Sequence, residues 1–316
     1  MSTSRSTSRT IRLALSAAIG AVWLALAGLA SAQSDAERMG LVGPVASVAE
    51  YQTYEPQEEE PRLRQEWTFD ADGEITGRVF YSYSWRDGSL NYRQVTTYDA
   101  TSGLQTVAER IGPDGAVVGR VTYAYDGEGR PTEEVTYDEN GEETYRIAQE
   151  YDRDGNLIAR EIYRNGELAG RDEYDYDGEG RRVAGRDFDD DGTLDSETTY
   201  TVPDLEYETV EYDDGEIESR SVVVRGEHGV VSAETYLPDG TLESATYFAY
   251  DEAGRIVRRE DAFSYDVMGE TRTGSSVAVY EYEFDEVGNW IRRTAIEDDG
   301  MGPAPIELEV REIEYR

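Results

Sequence analysis

The stretch Asp187-Phe188-Asp189-Asp190-Asp191-Gly192-Thr193-Leu194-Asp195 carries the sharpest chemical pattern in the chain. Carboxylates alternate along it and a glycine permits a tight bend. Asp187, Asp189, Asp191 and Asp195 thus match the spacing of a calcium loop, in which oxygens converge on a hard cation. Thr198 stands at the twelfth position, where such loops place a bidentate glutamate, and the stretch also scans as an ordinary turn with Phe188 in a tyrosine's place. Ca²⁺ at these four residues is the one cofactor expectation. Weaker echoes fall at Asp152/Asp154 and Asp175/Asp177.

Other chemistries lack their residues. The chain has no cysteine, which removes thiolate nucleophiles and Cys/His zinc sites. Its one histidine, His228, lies in Arg225-Gly226-Glu227-His228-Gly229, on the spacing of a turn, where an exposed tip is expected rather than a base. No glycine-rich loop ends in Gly-Lys-Ser/Thr. Paired carboxylates are uninformative, because 68 acids guarantee close pairs by chance. No catalytic residue is assigned, and the chain reads as non-enzymatic.

The balance of charge is extreme. The net charge is −38, and all 30 basic residues are arginine. A surface this acidic repels nucleic acid and anionic lipid, so neither is expected as a partner. A protein, an envelope glycan or a divalent cation fits better.

The elements that must position these residues begin with an export signal at 1–32. Arg5, Arg9 and Arg12 precede an apolar stretch from Leu13 to Leu29, and Ala30-Ser31-Ala32 forms a small-residue cleavage site. Cleavage after Ala32 implies a periplasmic or secreted product with no membrane contact, and loss of three arginines takes the charge from −38 to −41. Residues 33–61 read as an N-terminal strand and an acidic loop at Glu58-Glu59-Glu60, and 62–316 as a repeat domain. There the unit Tyr-Asp-x-x-Gly recurs, clearest at Tyr125, Tyr151, Tyr176 and Tyr250. Turn glycines from Gly103 to Gly192 are separated by 12, 14, 12, 14, 11, 14 and 12 residues. That alternation predicts antiparallel hairpins with two unlike ends. With 38% hydrophobic residues, the expected fold is all-β: tandem hairpin repeats in an elongated twisted or spiral sheet, with a thin aromatic core.

Two copies, Tyr123–Arg130 and Tyr174–Arg181, resemble the YD repeat of bacterial Rhs and wall-associated proteins and of teneurins, and the likeness runs from Arg62 to Arg316. Large Rhs proteins wrap such repeats into a shell around a toxin. This chain is far shorter and carries no further domain to enclose. It is more similar to short secreted YD-repeat proteins, which begin and end as Gly43–Val48, Phe284–Trp290 and Arg311–Tyr315 do here. Tyr163–Gly170 also resembles the hairpins of MORN-like, antitoxin-type repeats. These resemblances imply a binding or structural scaffold at the envelope or outside the cell. Carbohydrate binding on tyrosine platforms is the alternative, and a fragment-like relative of toxin shells the third reading.

Overall fold

The computed structural model describes residues 34–53, 61–84, 86–202, 205–213, 215–267, 270–298 and 303–316. The expected signal at 1–32 and the acidic loop at Glu58–Glu60 lie outside the described residues. Ser34–Arg316 forms one compact unit. A short helix, α1 (Asp35–Arg38), precedes the strands β1 (Val45–Thr53), β2 (Arg62–Phe69), β3 (Ile75–Tyr83), β4 (Leu90–Tyr98) and β5 (Gln105–Ile111). They are followed by β6 (Val117–Tyr125), β7 (Pro131–Asp138), β8 (Glu143–Tyr151), β9 (Leu157–Arg164) and β10 (Glu167–Tyr176). Next come β11 (Arg182–Phe188), β12 (Leu194–Val202), β13 (Glu206–Asp213), β14 (Glu216–Gly226) and β15 (Gly229–Tyr236). The last five are β16 (Leu242–Tyr250), β17 (Ile256–Val267), β18 (Glu270–Phe284), β19 (Trp290–Asp298) and β20 (Pro303–Tyr315).

The repeat unit makes these hairpins by local chemistry. At Asp126 the backbone N–H donates to the Arg130 carbonyl at 3.0 Å, and Gly129 N–H donates back to the Asp126 carbonyl at 3.1 Å. The Asp126 side chain accepts from the N–H groups of Glu128 and Arg130. Gly129 adopts φ 80°, the left-handed conformation that closes such a turn without steric cost. Turns headed by Asp70, Asp99, Asp126, Asp152, Asp177, Asp251 and Asp285 lie at one end of the strands, and those at Gly115, Gly141, Gly166, Gly192 and Gly240 at the other. The alternating glycine spacing is this alternation of ends.

The elongated or spiral sheet expected from the sequence is not what forms. Each strand pairs antiparallel with the next, and β1 also pairs with β20, so the 20 strands close into a barrel. Val48 lies opposite Ile313, Glu50 opposite Arg311, and Gln52 opposite Glu309. Strand twist curls a long meander, and an open one would expose two unpaired edges that invite aggregation; joining first strand to last removes both. Val45–Thr53, expected outside the repeat domain, is therefore a full stave of the wall. The sequence signals act over two to four residues. The pairing of β1 with β20 spans the whole chain and leaves no periodic trace.

The larger cluster of buried apolar residues among the described ones lies at this seam. Ala36, Leu41, Val45, Val48, Trp67 and Phe69 are buried together, with Met39, Ile75 and Ile313 against them. A capping box of Ser34 and Glu37 starts α1, and Asp35 accepts from Ile75 N–H at 2.9 Å, which holds the helix on β3. Beside it Asn289 is 1% exposed. Its amide donates to the Val42 carbonyl at 2.8 Å and to the Tyr315 hydroxyl at 2.7 Å, and its Oδ1 accepts from Val42 N–H at 2.6 Å. The Tyr315 hydroxyl donates in turn to Asp285, and Arg316 N–H donates to the Pro44 carbonyl at 2.9 Å. One asparagine thus ties the segment before β1 to the β18–β19 turn and the last strand.

Replacing Asn289 with Ala should cost about 2–4 kcal/mol, because it strands polar groups in a buried place. Asn156, the equivalent residue of an internal turn, bonds only Asp152 through its side chain, and Asn156→Ala should cost about 1 kcal/mol. Urea midpoints of the two variants check this; equal losses would contradict a special role for the seam.

Candidate functional site

Strand register sorts the side chains onto two walls. Arg160, Asp172, Tyr174 and Asp187 share one wall with Arg293, Glu307, Glu309, Arg311 and Glu50. Arg146, Glu161, Arg171, Glu173, Arg186 and Glu197 occupy the other. The first wall is the more enclosed: side chains of Asp172, Glu309 and Arg311 are 7%, 13% and 12% exposed, against 34–54% for the Arg186–Asp175 and Arg186–Glu197 pairs opposite.

The tyrosines act as staples between neighbouring repeats. Tyr151 donates its hydroxyl to the Pro131 carbonyl, Tyr176 to that of Leu157, and Tyr282 to that of Ile256, each at 2.8–2.9 Å. These carbonyls follow the turn of the preceding repeat. Arg130 of that turn is bonded by Asp126 at 2.6 Å and lies 4.8 Å over the Tyr151 ring. Arg146 lies 3.8 Å over Tyr163 and Arg182 4.0 Å over Tyr174. Burial pushes the Tyr123 and Tyr174 hydroxyls up to about 12. Hydroxyls bonded to carbonyls and ring faces covered by guanidinium leave these tyrosines little surface for a sugar.

The expected calcium residues do not come together. Asp187 is on the enclosed wall, where it accepts from Ser196 at 2.6 Å and lies opposite Asp172. Asp189 and Asp191 sit in the β11–β12 turn and accept from the N–H groups of Asp191 and Thr193, while Asp195 is exposed at the start of β12. Among the described residues no group of three or more acids or histidines is arranged to hold a metal ion. His228 is exposed in the tight turn between β14 and β15, 6.2 Å from the Tyr250 ring.

Two charge clusters on the enclosed wall escaped the sequence reading. In the first, Arg160 donates to Asp172 at 2.6 Å, and Asp172 faces Asp187; burial, reinforced by that facing carboxylate, raises the Asp187 pKa. The second crosses the seam. Arg293 donates to Glu307 at 2.9 Å and Glu309 at 2.7 Å, and Arg311 donates to Glu50 at 3.3 Å while lying 3.5 Å over the Trp290 ring. Three carboxylates thus share two guanidinium groups in a desolvated place. Burial pushes Glu309 up to about 7. Its members come from β1, β19 and β20, and no local motif joins them.

A family model described as "Uncharacterised protein" matches residues 112–230. No curated protein matches the chain. A porin-like protein from Bacteroides uniformis aligns over 86% of this chain and 98% of its own, at 10% identity and a TM-score of 0.40. Another, from Bacteroides vulgatus, covers the same shares at 12% identity with a TM-score of 0.25. TcdB2-TccC3 without its hypervariable C-terminal region aligns over 81% of this chain and 20% of its own, at 10% identity and a TM-score of 0.18. Likenesses at these scores carry no argument about function.

The seam cluster gives a pH dependence with a definite sign. Glu309 titrates at about 7 when folded, above its ordinary 4.5, so its contribution to stability is complete below 4.5 and is lost as pH rises through about 7. Around it stand Glu307 and Arg311 on its own strand, Arg293 on β19, Glu50 and Gln52 on β1, and Tyr282 on β18. Glu309→Gln, permanently neutral, should match the wild type near pH 4.5 and melt above it at pH 8. Parallel melting curves against pH would contradict the raised Glu309 pKa.

Proposed function

We propose that this chain is an exported, non-enzymatic β-barrel scaffold that stands in water within or outside the cell envelope and binds a protein partner on its charged walls. The observation that carries the reading is the placement of charge on both faces of the wall. A barrel in lipid presents a continuous apolar band, and each arginine in that band costs about 2–4 kcal/mol at mid-membrane. Here Arg146, Arg171, Arg186 and Arg220 lie on one face with their glutamate and aspartate partners, and Arg160, Arg293 and Arg311 on the other. Whichever face met lipid, the sum of about 6–16 kcal/mol would rival the whole stability of an ordinary domain. Among the described residues no helix is long and apolar enough to cross a membrane.

The stapling role of Tyr, Asp, Gly and Arg supports kinship with short secreted YD-repeat proteins, since each motif residue has a structural task that any stacked repeat needs. The same roles count against sugar platforms. In the enclosed clusters every arginine is bonded by a carboxylate, Arg160 by Asp172, Arg293 by Glu307 and Glu309, and Arg311 by Glu50, which suits a structural wall.

Expression with residues 1–32 in a Gram-negative host, followed by osmotic shock and carbonate washing, tests this reading. The product should start at Gln33 and stay in the soluble periplasmic or culture fraction. Recovery only from the outer-membrane pellet, released by detergent, would overturn it.

A further inference from the structure

A contact recurs along the wall in which an arginine lies over an aromatic ring and is itself held by an acid. Arg130 lies over Tyr151 and bonds Asp126; Arg146 lies over Tyr163 and bonds Glu143; Arg220 lies over Tyr236 and bonds Glu208; Arg255 lies over Phe284 and bonds Asp251. Phe188 has a cross-strand arginine that does not lie over it. Its cross-strand neighbour Arg171 is turned to Glu161 and Glu173, at 2.9 and 3.0 Å. At the same end of the barrel the cross-strand arginines Arg120 and Arg220 do lie over Tyr137 and Tyr236. The acids of the arrangement are nevertheless present, because Asp189, Asp190 and Asp191 follow the ring directly.

Phe188 and these aspartates line a shallow cavity of about 370 Å³ with Leu168, which is 39% exposed at the start of β10. The lining holds one arginine, already paired, against four carboxylates, and Asp190 makes no hydrogen bond or ion pair among the described residues. An apolar floor of Leu and Phe beneath an acidic rim is the negative of a side chain with an aliphatic stem and a flat cationic head.

We propose that this groove receives an arginine side chain from a basic segment of a partner protein, with an adjacent aliphatic residue of that segment resting on Leu168. The guanidinium would stack on Phe188 and meet Asp190, reproducing between two proteins the contact that the barrel makes internally at Tyr151. Lysine fits less well, since it lacks the planar face. The inference rests on the reading of the chain as a soluble binding scaffold, and it names the place and the chemistry of the contact.

Calorimetric titration of the mature protein at 0.3 M salt with acetyl-Leu-Arg-Leu-Arg-amide tests it, with acetyl-Gly-Arg-Gly-Arg-amide as the control for diffuse attraction to a polyanion. Asp190→Asn and Leu168→Ser, both at exposed positions, and Phe188→Ala should each weaken the leucine-containing probe about fivefold, the worth of one stacked or paired cation. Glu128→Gln, at the opposite end of the barrel, should leave it unchanged. If Phe188→Ala fails to fold, the two exposed variants decide. Equal affinities for the two probes, or for wild type and variants, would overturn the groove. A soluble protein with those equal affinities loses only the groove, whereas a protein found only in the membrane pellet loses the scaffold reading itself.

Discussion

The pairing of β1 with β20 is the constraint on which the other features of the wall depend. A long antiparallel meander with charge on both faces has no deep core, and only 38% of the residues are hydrophobic. Left open, its terminal strands would each lack half their hydrogen bonds and fray. Closure satisfies them, and it gathers the largest apolar cluster, the buried Asn289 and the Arg311–Glu50 pair over Trp290 in one place. Breaking such a pair from one side leaves an unpartnered buried charge, which costs more than the pair contributes. The seam is therefore specific as well as stable.

Away from the seam, adhesion is spread thinly and repeated often. One tyrosine hydroxyl, one arginine over a ring and one aspartate turn each contribute on the order of 1 kcal/mol, the range of a single net hydrogen bond or cation–π contact. Because the same contacts recur from hairpin to hairpin, neighbours stabilise one another as in other repeat arrays. The chain's composition follows from this. Arginine can cover a ring and grip a carboxylate fork at once, which lysine's single ammonium cannot do, and the chain has only arginine.

How much could be read from the residues depended on distance along the chain. The turns were fully legible, since Asp126 and Gly129 act within four residues, and the alternating glycine intervals announced two unlike ends. The terminal motifs Gly43–Val48, Phe284–Trp290 and Arg311–Tyr315 were visible as strings, yet their meeting at Asn289 joins Val42 to a residue 247 positions away. Nothing periodic marks such a contact. Asp187–Asp195 reads as one loop in the sequence, yet it spans the end of β11, a turn whose N–H groups bond Asp189 and Asp191, and the start of β12, where Asp195 is exposed. Phe188 was noted as a tyrosine replaced, but the meaning of the change needed the arginines of the neighbouring repeats.

Closure itself can be tested by a cross-link, helped by the absence of cysteine from the chain. Ser47 and Glu314 lie opposite each other across the seam, with their side chains 3.1 Å apart. In the double variant Ser47→Cys and Glu314→Cys, mild oxidation of the dilute mature protein should give a monomer with one intramolecular disulfide, found as a single peptide joining the two ends of the chain. Free thiols or disulfide-linked dimers in their place would mean an open sheet and would contradict the barrel.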